Sequence, residues 1–456
     1  MWWQRKSNQL AIIYSIGVAA IGVGVLVKNL IIYVLPIAIA LAYFSYRKRK
    51  TWLVVLFLLL AVGYLRGSYG WPDFGQDTIS TNYGYGNYYG VVVEEPTIKV
   101  DKSLIIVSLY KKENNGTEEF ITGKAQIEAD RFLLFKIGDE IKVSCKFVPA
   151  KNKDGSWQMW LLKDGITAKC FNAKIKKIDE KKDIIFHGLN KLIWLKEKAT
   201  KVTKEILPEP YSSLLAGILW GARAGLSDSI QETMKRAGIT HIIAISGFNI
   251  SLITVALAGW LMAVGLSRKK AVIIIIVVLI VFVILTGASA SVVRAALMGG
   301  LVVFIRIVQR KVRAVVVLPF VLLLMSLISP LSLLYDAGLH LSFLATVGLM
   351  VINPQFEKIL PSNFPVTLKD SLITTLSATL MTAPYCWWQF GQLTLAGLIS
   401  NLIVVPLVPW VMATGALAVC CGFVSTIIAL PLAFVTKFIL SVILWTAELT
   451  SVIPTI

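Results

Sequence analysis

The chain has 456 residues, 56% of them hydrophobic, with mean hydropathy +0.73 and a formal net charge of +19. That hydropathy excludes an ordinary soluble globular enzyme and indicates a polytopic membrane protein. Residues 67–205 hold 23 Lys/Arg against 19 Asp/Glu, so most of the positive surplus flanks the apolar segments. Membrane topology accounts for such charge without a nucleic-acid partner.

Residues 1–66 read as N-terminal transmembrane helices. The apolar run 10–27 follows Arg5 and Lys6 and has no small-x-small cleavage site after it, so it is an anchor rather than a removed signal. A tight turn at Lys28 and Asn29 leads to a second run at 30–46, the basic stretch 47–50 and a shorter run at 52–65. Lys and Arg favour the cytoplasmic side, which places the N-terminus inside and, after three crossings, residue 67 outside.

Residues 67–180 change to short alternating or β-branched runs at 89–95, 103–110, 123–129, 140–148, 156–162 and 167–175. Turn signals separate them, among them Asn114-Asn115-Gly116 and Asp154-Gly155. Ile141, Val143, Cys145 and Phe147 alternate with Lys142, Ser144 and Lys146, which gives one apolar face and one wet face. Strands this short and this frequent predict a small β-barrel domain. Outside the cell, Cys145 and Cys170 either pair or remain two packed thiols. Cys386, Cys420 and Cys421 lie in apolar runs as small packing residues.

Residues 181–210 form a charged linker in which Ile185, Leu189, Leu192, Ala199 and Ile206 fall at helical spacing. That pattern predicts an amphipathic helix, either lying on the membrane surface or solvated as a plain linker. Residues 211–456 are a helical membrane domain. The run 214–220 is too short to span, and 227–237 is a polar helix with Ser227 or Asp228 as its N-cap. Spans are expected at 240–264, 271–286, 289–308, 314–329, 337–352, 371–390, 395–419 and 424–450. With the N-terminal three they make about 11 crossings. The basic turns at 268–270 and at Arg306, Arg310, Lys311 and Arg313 lie in phase on the cytoplasmic side. Parity then makes 211–237 re-entrant or interfacial, which requires burial in protein or a wet cavity.

Polar residues inside this apolar background are the candidate functional groups, because an ionisable group in the bilayer usually faces a bundle interior or a water-filled path. The stretch 236–251 reads RAGITHIIAISGFNIS. On one helix, His241 and Asn249 project within a quarter turn of each other, with Ser246 on the flank and Gly238 at the head. Arg294 is a full charge in an apolar segment, beside a stripe of small residues at Ala288, Ser291, Ala295 and Gly299. It either meets phosphate or forms a structural ion pair, most simply with Asp336. Asp336 and His340 stand one turn apart, and Asp336 is equally a helix cap. Pro384, Pro406 and Pro409 interrupt the late helices, and Asn401 can satisfy freed carbonyls.

RAGITHIIAISGFNIS resembles the signature of the ComEC competence-channel family: a His, an Ala-Ile-Ser-Gly run, and a polar residue two positions later, here Asn249. TGASASVVRAALM from Thr286, SPLSLLYDAGLHLSFLATVGL from Ser329 and SNLIVVPLVP from Ser400 follow in family order, over roughly residues 210–420. Where the family has a polar amide, this chain has His340. The resemblance implies an OB-like form for the β domain, in which Tyr83, Tyr85, Tyr88, Tyr89, Trp157 and Trp160 either stack bases or serve as structural aromatics. Longer family members carry a C-terminal metallo-β-lactamase-like domain, and this sequence reaches Ile456 without one. Separate nuclease and ATP-driven helicase proteins are therefore expected as partners, beside single-stranded DNA and membrane lipid, with a homo-oligomer left open.

The function this implies is a bacterial cytoplasmic-membrane channel component that moves single-stranded DNA inward during competence. Its translocation path would hold His241, Ser246, Gly247, Asn249, Arg294, Asp336 and His340. The alternative is a transporter of a small anionic solute or lipid using the same polar stripe and broken helices. No enzyme, cofactor or metal is expected. The chain has no G-x-x-x-x-G-K-[S/T] sequence, and its three histidines, His187, His241 and His340, are scattered. Ser246 and His241 lie about 140° apart on a helix, which is wrong for a nucleophile and its base.

Overall fold

The computed structural model describes the chain apart from residues 1, 27–50, 73, 76, 82, 95, 99–101, 115–116, 131–134, 153, 179–183, 223–225, 244–246, 288–289, 308–313, 360–365, 393, 395 and 455–456. The expected span 30–46, the basic stretches 47–50 and 310–313, and the site residue Ser246 lie outside the described residues. Helices α1 (Trp2–Leu26) and α2 (Thr51–Ser68) come first. Strands β1 (Gly84–Val92), β2 (Thr97–Ile98), β3 (Lys102–Asn114), β4 (Thr117–Asp130), β5 (Glu140–Pro149), β6 (Ile166–Cys170) and β7 (Lys174–Lys177) follow, with the short helix α3 (Met159–Leu162) between β5 and β6. Then come α4 (Ile184–Ile206), α5 (Tyr211–Trp220), α6 (Asp228–Arg236), α7 (Thr240–Ile243), α8 (Gly247–Ala263), α9 (Arg268–Leu285) and α10 (Ala290–Ile307). The last are α11 (Ala314–Ile328), α12 (Ser332–Tyr335), α13 (Ala337–Val351), α14 (Asn353–Ile359), α15 (Val366–Phe390), α16 (Ala396–Gly422) and α17 (Thr426–Ser451). The chain divides into two compact units, Met1–His187 with Arg310–Asp336, and Gly188–Gln309 with Ala337–Ile456.

In the first unit, α1 and α2 cross at glycines. A Cβ on Gly24 would strike the Tyr64 carbonyl, and one on Gly67 would strike that of Ile21. Backbones approach this closely only where no side chain intervenes. Leu323 of α11 packs with Val18 and Ile21 against this pair. Arg66 donates from Nε to the Leu327 carbonyl at 2.7 Å and from Nη2 to that of Ile328 at 2.9 Å. These are last-turn carbonyls that the helix itself leaves unsatisfied, and a cation there complements the helix dipole.

The strands form one sheet in the order β1-β3-β4-β6-β5-β7, with β2 on β3. β1 also pairs with β5, so the path of pairings returns to β1. The β4–β6 pairing is parallel and the others are antiparallel. As the alternation predicts, Ile141, Val143, Cys145 and Phe147 are buried. Tyr88 joins them, with its ring edge-on to Phe147 at 4.6 Å. Cys145 and Cys170, on adjacent strands with Cα atoms 6.4 Å apart, form a disulfide in this core.

Two strand expectations change. Residues 156–162 are not a strand: Trp157 makes a single bridge with Lys151, and the chain then turns into α3. Leu161 and Leu162 are both buried, which a helical turn permits and an alternating strand does not. The run 167–175 is two strands, β6 and β7, because the chain turns at Asn172 with φ 52°, a left-handed conformation Asn tolerates.

In the second unit, α16 and α17 (27 and 26 residues) are long and apolar enough to cross a membrane. Among the described residues, α13 and α14 make a third candidate if the pair, bent by 41°, counts as one span. The ranges expected for late spans coincide with α9, α10, α13, α15, α16 and α17 within a few residues, as the expected 314–329 does with α11 of the first unit. The expected span 240–264 is described as α7 and α8, either side of residues 244–246. A buried cluster of α5, α6, α16 and α17 side chains, including Leu214, Met234, Val411 and Ile443, holds one part of this unit. Ile250, Ile275, Leu279 and Val292 hold α8, α9 and α10 together.

Candidate functional site

The signature stretch starts at the end of α6. Ser227 caps this helix and accepts from the Ile230 N–H at 3.4 Å, as the sequence predicts. At the other end the Ile239 N–H reaches the Met234 carbonyl and the Gly238 N–H that of Lys235, with Gly238 at φ +72°. This is a Schellman stop, which favours glycine at its left-handed position. A Cβ there would also fall 2.7 Å from the Gly397 Cα, so the turn and the start of α16 leave no room for a side chain. Ser400 fastens the same place, donating to the Ala237 carbonyl at 2.8 Å.

His241 and Asn249 have opposite surroundings. His241 is exposed on α7. Asn249 is 1% exposed on α8 and donates from Nδ2 to the Ile218 carbonyl at 3.2 Å. Ile218 lies in the last turn of α5, where the helix has no N–H left to offer. Gly247, at the exposed head of α8, sits where a Cβ would reach Ala295 of α10 at 3.5 Å. Gly299, one turn on, faces Ile250 and Thr254. Ala295 and Gly299 of the small-residue stripe thus let α10 approach α8.

Arg294 is 3% exposed and donates from Nε to Ser342 Oγ of α13 at 2.8 Å. Two residues before Ser342, His340 Nδ1 lies 2.6 Å from the Tyr385 hydroxyl of α15. The second unit therefore contains a polar thread across apolar helices, α5 to α8 through Asn249, α10 to α13 through Arg294 and α13 to α15 through His340, with an apolar step from α8 to α10 at Gly247 and Ala295. Ser342, Tyr385 and the Ile218 carbonyl were not singled out in the sequence. Serine and tyrosine at helical spacing carry no periodic signal of their own, and a backbone carbonyl carries none at all.

Asp336 belongs to the first unit. It stands in extended backbone just before α13, the place of an N-cap, and its Oδ2 accepts from Lys163 Nζ at 2.9 Å. Lys163, Asp164, Glu94 and Lys124 line a cleft of about 460 Å³. Partial burial raises the Glu94 carboxyl above its ordinary range, against the pull of Lys124 and with a push from Asp164. Asp164 is raised in the same way, by burial first, with Lys163 opposing and Asp336 adding.

The β-domain aromatics divide between structural and exposed. Tyr88 is in the core and Tyr83 donates to the Thr167 carbonyl at 3.3 Å; burial pushes both hydroxyls up to about 12. Tyr89 donates to Glu113 at 2.6 Å, with Lys111 and Lys142 over its ring. Tyr85 and Trp160 are exposed. Among the described residues, no three His, Cys, Asp or Glu side chains gather as a metal site.

The family model described as "Competence protein" matches residues 218–456, which contain the whole polar thread. The chain belongs to the Competence protein family. Within the ComEC-type signature, residues 236–251, Gly238 fits the end of α6 against α16 and Asn249 ties α8 to α5. The chain is 28% identical over 228 residues to the ComE operon protein 3 of Bacillus subtilis (strain 168). That alignment covers 50% of this chain and 29% of the length of the relative. No solved structure matches the chain.

Proposed function

We propose that this competence-family membrane protein forms the membrane part of a DNA-uptake channel and passes single-stranded DNA inward. The family match over residues 218–456 carries the proposal. The polar thread in the same region supports it, because buried polar groups in apolar helices mark translocation machinery far more often than lipid contact. Arg294 and Asn249, both buried, brace the wall of the path, while the exposed His241 and Gly247 face it.

In this proposal the chain crosses the membrane about 11 times, with its N-terminus in the cytoplasm. The β domain lies outside as an OB-like closed barrel and receives the strand. The circuit of pairings from β1 through β3, β4, β6 and β5 back to β1, with a parallel β4–β6 pair, supports closure. The Cys145–Cys170 disulfide supports an oxidising side. The chain is a conduit and not an enzyme, and separate nuclease and ATP-driven helicase proteins act with it.

The test uses labelled DNA and cells carrying Arg294→Gln at the normal membrane level. Losing a charge-assisted hydrogen bond costs about 1.5–3 kcal/mol, so entry past the membrane should fall about tenfold or more with surface binding intact. Full entry with Arg294→Gln overturns the wall assignment. Full entry after deletion of the whole gene overturns the channel and moves a small anionic solute or lipid to the front.

A further inference from the structure

We propose that α4 is an interfacial helix that binds the anionic headgroups of membrane lipid, through Lys191, Lys198 and Lys201 along the helix face that carries Trp194. Leu192, Leu195, Ala199, Val202 and Ile206 recur three and four residues apart and make one apolar stripe. The C-terminal half of that stripe is covered. Val202 and Ile206 are 7% and 6% exposed, and a Cβ on Gly422 would strike Val202. Thr200 Oγ1 accepts from Trp220 Nε1 at 3.1 Å, which fixes the same half against α5.

The N-terminal half of the stripe is uncovered. Leu195 is 43% exposed, and Trp194 beside it 55%. Lys191, Leu192, Trp194 and Leu195 line a shallow apolar cavity of about 490 Å³ with lysine at its rim. Lys198 Nζ lies 5.2 Å from the Trp194 ring centre and 5.5 Å from that of Phe423. Phe423 begins the turn between α16 and α17, both long and apolar enough to cross a membrane. That turn therefore sits at a membrane edge, and Lys198 holds α4 at the same level.

Apolar exposure continues from α4 along this edge through Val424, Ile427 and Ile428, at 82%, 76% and 57%. Acyl chains satisfy a surface of this composition, whereas a nucleic acid leaves Leu195, Val424 and Ile427 in water. Tryptophan and snorkelling lysine are the residues enriched at headgroup level. From Lys191 onward α4 carries five lysines against Glu197 and Glu205, so the headgroups it suits are anionic.

The full chain, purified in neutral detergent, is placed in nanodiscs of phosphatidylcholine with or without phosphatidylglycerol. Lysine acetylation is mapped, and retained phosphatidylglycerol is counted by native mass spectrometry. Lys191, Lys198 and Lys201 should be protected only in the phosphatidylglycerol discs. Retention should weaken about fivefold for each of Lys191→Gln, Lys198→Gln and Lys201→Gln. Brominated acyl chains should quench a share of the fluorescence that disappears with Trp194→Phe. Equal protection in both discs, or unchanged retention in the triple glutamine variant, overturns the proposal. So does stronger protection by a single-stranded oligonucleotide in phosphatidylcholine discs than by phosphatidylglycerol. Should the triple variant lose its folded profile, the wild-type footprint alone decides between these outcomes.

Discussion

Gly238 and Asn249 show how single residues set this membrane domain. Gly238 is required twice, by its left-handed φ of +72° and by the Gly397 backbone against it. Gly238→Ala adds about 1–2 kcal/mol of backbone strain before the clash is counted. The variant should insert poorly or unfold early, as measured by its membrane level and by thermal melting of the solubilised protein. Asn249→Leu should cost about 1–3 kcal/mol, because it strands the buried Ile218 carbonyl at the end of α5. Asn249→Gln should recover part of this loss. Both residues stood out in the sequence, Gly238 as the head of a polar helix face and Asn249 as a break in an apolar run. Their partners did not, since Ile218 and Gly397 look like any other apolar and small residue until the helices are packed.

At the scale of elements, the β domain combines a pattern that was legible with contacts that were not. The alternation in β5 placed Ile141, Val143, Cys145 and Phe147 inside, and they are inside. Pairing of Cys145 with Cys170 depended on bringing β5 beside β6, a contact that period-two alternation does not encode. The disulfide closes a loop with a sequence separation of 25. Its loss in Cys145→Ser should destabilise the domain by about 3 kcal/mol, seen as faster hydrogen exchange across β3 to β6 in the full chain. Alkylation without reductant should label Cys386, Cys420 and Cys421 after unfolding and leave Cys145 and Cys170 unlabelled.

The cleft that contains Lys163 has its own pH response. Glu94 and Asp164 are raised in the folded protein, so the folded state binds protons more tightly than the unfolded chain. Their contribution to stability is full below the unfolded carboxylate pKa of about 4 and is lost as pH rises through the raised values. Thermal melting at stepped pH should show this decline, and Glu94→Gln with Asp164→Asn should flatten it. A decline of the same slope in the double variant would assign it to other groups.

On the scale of the whole molecule, the sequence reads as blocks and the structure interleaves them. Residues 211–456 look like one helical domain, yet Arg310–Asp336 packs with the N-terminal helices and the β domain as one unit. Asp336 reaches Lys163, 173 positions away, and Leu323 joins Val18 and Ile21. Lys163→Met should loosen this attachment by about 1–3 kcal/mol, read as increased proteolysis at the loop 162–165.

The sequence by itself determined the membrane character, the ranges of the late apolar helices, the position of the β domain and the family, because hydropathy, periodicity and ordered motifs are local properties of a chain. Only the tertiary structure decided that Asn249 serves the end of α5, that Arg294 meets Ser342, that His340 meets Tyr385 and that Asp336 meets Lys163. Those pairings join residues 31, 48, 45 and 173 positions apart. Buried polar groups must find partners, but which partner is near is a property of packing rather than of local sequence.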